Sequence, residues 1–183
     1  MGPIQELALD LGAEERTLRR AVAQGAVRAR RPGPRRLRLA AGEQEYLQEH
    51  WPLLSGLRET LRTQRGVRLA VMYGSVARGD EDGDSDLDLL VSFAAPRTRV
   101  GPPLAMRLEE VACRRVDIAY LERVEAFAPL LLDRVLDEGR VVVDRDGAWS
   151  ALRAQRRAIH ARARRSYRRQ MSSAARAIDE LTR

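Results

Sequence analysis

Two acids two residues apart are the first residues in this chain able to do chemistry. They lie in the run Ser85-Asp86-Leu87-Asp88-Leu89-Leu90-Val91. Polar and apolar residues alternate there, and in a half-buried strand side chains at i and i+2 share a face. Asp86 and Asp88 therefore point one way, and Leu87 and Leu89 point into a core. Paired carboxylates repel unless a cation sits between them. Hard oxygen ligands at this spacing suit Mg²⁺ or Mn²⁺, which are held by a few carboxylates and substrate phosphates.

Twelve residues upstream of that pair, the apolar run Leu69 to Tyr73 ends in Gly74-Ser75. A strand that passes through glycine into a helix leaves backbone N–H groups aimed outward, and these with the helix dipole favour an anion. Gly74 would admit a phosphate close to the backbone, and the Ser75 hydroxyl would add a hydrogen bond. Arg78, just beyond, would neutralise a phosphate oxygen or pair with Asp80 or Asp82. The loop acids Asp80, Glu81, Asp82 and Asp84 read as solvated turn residues. A P-loop is excluded, because that motif needs a lysine and the chain has none.

Gly74-Ser75, ten residues, then Asp86-Leu87-Asp88 resembles the signature of the polymerase-beta-type nucleotidyltransferase superfamily. The text GSVARGD followed by SDLDLLV is similar to its minimal nucleotidyltransferase, antitoxin-like group. The likeness runs over roughly residues 67–146. It implies a third carboxylate on a neighbouring strand, and Asp117 in Arg115-Val116-Asp117-Ile118-Ala119-Tyr120-Leu121 fits that place. It also implies two Mg²⁺ (or Mn²⁺) ions on Asp86, Asp88 and Asp117, with ATP or another NTP held by Gly74, Ser75 and Arg78. The implied reaction moves a nucleoside monophosphate, AMP foremost, to a protein hydroxyl. Members of the group often modify a helical ribonuclease of the HEPN class, which makes such a toxin the expected acceptor and partner.

The elements around this stretch alternate between strand and helix, so the expected fold is an α/β (α+β) nucleotidyltransferase fold with a mixed sheet. The divisions expected are 1–40, 41–66, 67–147 and 148–183. Residues 1–40 resemble a winged helix-turn-helix: Ala8, Gly12, Leu18 and Ala21 fall at its spacing, and Pro32-Gly33-Pro34 turns a two-stranded wing. Arg16, Thr17, Arg19 and Arg20 would face outward on the recognition helix. Arg28, Arg30, Arg31, Arg35 and Arg36 would line the wing against double-stranded DNA, and a homodimer would suit paired half-sites. The alternative is a basic hairpin packed on the enzyme domain.

Residues 42–64 read as a linking helix kinked or split by Pro52, with Trp51 as a packing residue. Residues 125–138 read as one helix, and 149–181 as one long basic helix. His50 and His160 read as surface residues, neither having a metal-ligand neighbour.

The net charge of +7 over 183 residues is unevenly spread: +5 over residues 1–40, −6 over 41–147 and +8 over 148–183. Acidic middle and basic ends imply different partners for each. No apolar run is long enough to span a bilayer, no signal peptide is evident, and Cys113 is the only cysteine. These features fit a cytoplasmic setting. Two further readings stay open: a DNA-binding regulator whose nucleotidyltransferase domain only senses a nucleotide, and an enzyme modifying small molecules of the aminoglycoside type.

Overall fold

The computed structural model describes residues 3–33, 36–95 and 99–181. Its centre is a mixed sheet in the order β5-β4-β3-β6. Strand β3 (Val67–Tyr73) runs antiparallel to both β4 (Leu87–Phe93) and β6 (Arg140–Asp144), while β5 (Val116–Tyr120) runs parallel to β4. The β-branched and apolar content of β3 and β4 explains their central place, since both faces of these strands are covered.

The two faces carry two cores. Val67, Ala70, Met72, Leu87, Leu89 and Val91 face helix α3 (Glu43–Thr63) and helix α5 (Pro102–Ala112). Leu69, Val71, Tyr73 and Leu90 face α6 (Leu121–Phe127), α7 (Pro129–Glu138), α8 (Ala148–Ala154) and α9 (Arg156–Leu181). The α/β expectation with a mixed sheet holds.

Helices α1 (Pro3–Asp10) and α2 (Glu15–Gln24) and the hairpin of β1 (Ala29–Gly33) and β2 (Arg36–Leu39) follow in the expected order. Their apolar residues do not form a core of their own. Ile4, Leu7, Leu18, Ala21 and Val27 join the same cluster as Leu47, Met72 and Leu89. The segment 41–66 is likewise no spacer, because Leu54, Leu57 and Leu61 of α3 complete that core.

Several local expectations are corrected. Helix α3 runs unbroken through Pro52. The proline lies on the solvent side, where water can take over the carbonyl that loses its donor. The 125–138 helix breaks at Ala128, because the residue before a proline is pushed out of helical conformation and Pro129 then opens α7. The tail breaks at Gln155, whose N–H turns to Leu152 O, and α9 then lies along α7. No helix among the described residues is long and apolar enough to cross a membrane.

Candidate active site

Strand β3 ends at Tyr73, and Gly74 opens the five-residue helix α4 (Gly74–Arg78). Gly74 has φ +80°, a conformation that L side chains resist. A Cβ placed on it would stand 2.1 Å from Asp88 Oδ2. The absence of a side chain at Gly74 therefore lets the Asp88 carboxylate lie against the backbone at the strand–helix turn. Gly74→Ala is expected to combine left-handed strain with that clash and cost about 2–4 kcal/mol, read as a lower urea midpoint.

Asp88 pairs with Tyr73 on one side and with Asp117 on the other. Strand alternation puts Asp88 and Asp117 on the face shared by Leu90 and Ala119, and Asp86 precedes β4 by one residue. Asp86 and Asp88 are partly buried and Asp117 is exposed. Burial, then the carboxylates of Asp117, Asp86 and Glu138, push the Asp88 carboxyl above the ordinary carboxylate range, against the weaker pull of Arg78. The neighbouring Tyr73 hydroxyl is pushed up to about 12 by burial, then by Asp88, Asp117 and Glu138. Asp86, Asp88 and Asp117 thus form a negative cluster, and among the described residues none of the three has an ion-pair partner.

Glu138, absent from the sequence-based expectations, completes the site. Its Oε1 accepts the Gly74 N–H at 3.0 Å, and its Oε2 accepts Arg78 Nη1 at 2.8 Å. Arg78 also donates to Asp80 Oδ2 at 3.0 Å. A carboxylate therefore sits at the backbone group and the guanidinium expected to receive a phosphate. Register holds the signal that could have found it: β6 pairs Arg140 with Met72, so the residue two before Arg140 arrives beside Gly74. Gly139 is glycine because a Cβ there would stand 2.4 Å from Val135 O. Among the described residues nothing engages the Ser75 hydroxyl, which is partly exposed at the turn.

The carbonyl end of α4 is held from behind. Tyr46 donates to Val76 O at 3.1 Å, and Arg140 Nε donates to Ala77 O at 2.7 Å. Arg140 also grips Glu43 with two bonds of 2.6 and 3.0 Å, both residues being buried. Cations at a helix C-terminus are favoured by its exposed carbonyls.

Arg28 belongs to this network and not to a free surface. Its Nη2 donates to Ala77 O and to Glu138 O at 3.2 and 2.7 Å, which corrects its placement in a DNA-facing wing. Burial and the nearby Arg140 hold its guanidinium below its ordinary value. Arg16, Arg19, Arg20 and Arg30 are exposed, Arg19 pairing with Glu15, and Thr17 is partly buried. Arg35 lies outside the described residues, as do the side chains of Arg31 and Arg36.

His50 is buried, not on the surface: it stacks on Tyr46 and shares a 2.6 Å hydrogen bond with Glu81. That bond ties down the loop before Asp86, so Glu81 is not merely a solvated turn residue. His160 is exposed as expected and pairs with Asp133.

Every donor in the acidic cluster is a hard oxygen, the chemistry that suits Mg²⁺ or Mn²⁺. Among the described residues, no three acid, histidine or cysteine side chains already converge on one ion position. The residues fit a divalent ion by type and by uncompensated charge, and not as a closed coordination shell.

Comparison with known proteins bears on this geometry. Residues 56–148, which contain Asp86, Asp88, Asp117 and Glu138, match the family described as Polymerase beta, Nucleotidyltransferase. A Methanocaldococcus jannaschii chain named "Putative protein adenylyltransferase" is 36% identical over 76 residues, or 41% of this chain and 78% of that one. Among solved structures, a crystal structure of a toxin-antitoxin with AMP-PNP is 17% identical, with a TM-score of 0.49 over 71% of this chain and 98% of its own. A complex of tri-AMPylated Shewanella oneidensis HEPN toxin with MNT antitoxin is 15% identical, with a TM-score of 0.44 over 72% and 97%. A family match across half the chain, centred on the turn and its acids, makes this protein a nucleotidyltransferase of the polymerase beta family.

Proposed function

We propose that the protein transfers a nucleoside monophosphate, AMP from ATP, to a hydroxyl of a protein acceptor, as an antitoxin acting on a HEPN-type ribonuclease does. The observation that carries this reading is the contact of the Asp88 carboxylate with the Gly74 turn, with Asp117 in register beside it. Asp86 and Asp88 would hold divalent ions, with Asp117 completing the set. Such ions supply charge neutralisation on the triphosphate and acidify a nearby hydroxyl.

The chain's own groups do the rest. Ser75 and the backbone at the start of α4 bind phosphate oxygens. Arg78 turns from Asp80 toward the triphosphate. Asp117, the most exposed acid, orients the acceptor hydroxyl and takes its proton. The acceptor oxygen bonds to the α-phosphorus, the bond to the β-phosphate bridge breaks, and pyrophosphate leaves with the electron pair.

Glu138 competes with phosphate for the Gly74 N–H and Arg78. Glu138→Gln is expected to tighten ATP binding about two- to fivefold, the worth of one partly exposed ion pair. Isothermal titration measures it, and weaker binding would make Glu138 a ligand-positioning group instead.

Two features support partners. Tyr167, Met171 and Leu181 of α9 are exposed on an otherwise arginine-rich helix, which suits docking of a protein acceptor. The outward arginines 16, 19, 20 and 30 suit DNA phosphates, which favours a regulatory second reading for residues 1–40. The enzyme reading is tested with ATP labelled at the α- or the γ-phosphate, Mg²⁺ and a co-purified acceptor. Label from the α position alone on the acceptor supports it. Label from the γ position, or none on any acceptor, rejects it. Sequence-selective, salt-sensitive gel shifts test the DNA reading.

A further inference from the structure

A groove lies toward the other end of the sheet, between α2, α3 and β6. Two adjoining cavities of about 430 and 480 Å³ share Arg58, Arg62 and Val142 as common wall. The first is apolar, with Trp51, Leu54 and Ala21 around it. The second is basic, with Arg20 joining the shared pair. Together they form one groove with an apolar end and a cationic end, of a size that takes a small organic molecule. β6 pairs Asp144 with Leu69, five residues from Gly74, so the basic end of this groove lies about 16 Å along the strand from the Gly74 turn.

The basic cavity is lined by five arginines, Arg20, Arg58, Arg62, Arg68 and Arg145, against two carboxylates, Asp144 and Asp146. Arg58 is partly buried and its Nη2 donates to Gln24 Oε1 at 2.6 Å, a neutral partner. Among the described residues no carboxylate pairs with Arg58, Arg62 or Arg20. Those two carboxylates are engaged elsewhere: Asp146 pairs with Arg68, and Asp144 caps the N–H groups of Ala148 and Trp149. Glu59 stands exposed on the apolar cavity's rim. Burial, then Arg62 and Arg20, lower the Arg58 guanidinium from its ordinary value. A partly buried cation without an anion is costly, and the cost is relieved by an oxyanion taking two N–H groups at once.

We propose that this groove binds a small aromatic phosphate monoester, its ring against Trp51 and its phosphate on Arg58, Arg62 and Arg20. A nucleoside monophosphate is one compound of that chemistry. Trp51 supplies a face for the ring, and the arginines supply the fork geometry that a phosphate accepts.

Isothermal titration of the full chain in EDTA, with phenyl phosphate and inorganic phosphate as probes, tests this. Phenyl phosphate is expected to bind at least roughly tenfold more tightly than inorganic phosphate, and Arg58→Gln to weaken it at least roughly tenfold. Arg62→Gln, at an exposed position, gives the same direction should Arg58→Gln fail to fold. Trp51→Ala is expected to remove the preference for the aromatic probe. Equal binding of the two probes, or binding unchanged in both arginine variants, overturns the proposal. So does duplex DNA that binds through the same arginines while phenyl phosphate does not, which would make the groove a seat for backbone phosphates.

Discussion

Asp88→Asn is expected to melt above wild type near neutral pH and to transfer nucleotidyl groups slower by a factor on the order of 10³. Both effects have one cause. In the folded protein Asp88 must ionise against burial and beside Asp117, Asp86 and Glu138, so its folded pKa lies above its unfolded one. The sign follows from linkage: the unfolded chain gives up this proton more readily, so stability falls as pH rises through the window between the two values. Below the unfolded value, near 3.9, the carboxyl is protonated in both states and the penalty vanishes. The asparagine variant lacks that step. Its advantage in melting temperature is expected at pH 7 and is expected to close as pH falls through the carboxylate range. Scanning calorimetry from pH 4 to 8 measures it. An equal or lower melting temperature at pH 7 would mean that Asp88 is neutralised by a partner in the fold.

Arg140→Ala is expected to be the most damaging single change to the fold. The guanidinium is 1% exposed and Glu43 is 3% exposed, so truncation strands a buried carboxylate. Ala77 O and Ala26 O lose a donor as well. Breaking a buried pair in this way costs about 3–5 kcal/mol, a large part of a total near 5–15 kcal/mol. Some of that cost is specific to leaving one partner behind. Arg140→Met with Glu43→Leu is expected to recover most of it, because apolar residues of similar volume often replace a buried ion pair without loss. Urea unfolding of the two variants separates the cases. A loss below about 1 kcal/mol for Arg140→Ala would show that the network is not structural. The Arg140 network also fixes the carbonyl end of α4, so the double variant is expected to keep its fold while losing transfer rate, through a loosened Gly74-Ser75 turn.

The local geometry of the candidate catalytic stretch was legible because its information is local. Alternation in 85–91 fixes the face of Asp86 and Asp88, and a glycine after an apolar strand marks a turn. The place of Asp117 came through family resemblance and was met by the β4–β5 register. What stayed hidden depends on long-range pairing. Glu138 reaches Gly74 across 64 positions, and Arg140 reaches Glu43 across 97. No window of sequence shows that Arg28, one arginine among many, turns inward to Ala77 O. His50 was misread for the same reason: its partner Glu81 sits in a loop 31 residues away. The helix break at Ala128 was readable, since Pro129 announces it.

The claim on which all else depends is that Gly74, Ser75 and the three aspartates form one site for a triphosphate and divalent ions. Isothermal titration with a non-hydrolysable ATP analogue tests it without knowledge of the acceptor. Saturable binding in Mg²⁺ is expected, weakened at least roughly tenfold both in EDTA and in Asp86→Asn/Asp88→Asn. Equal affinity under all three conditions would contradict it, because the nucleotide would then be held without the acids or the ions they are built to hold.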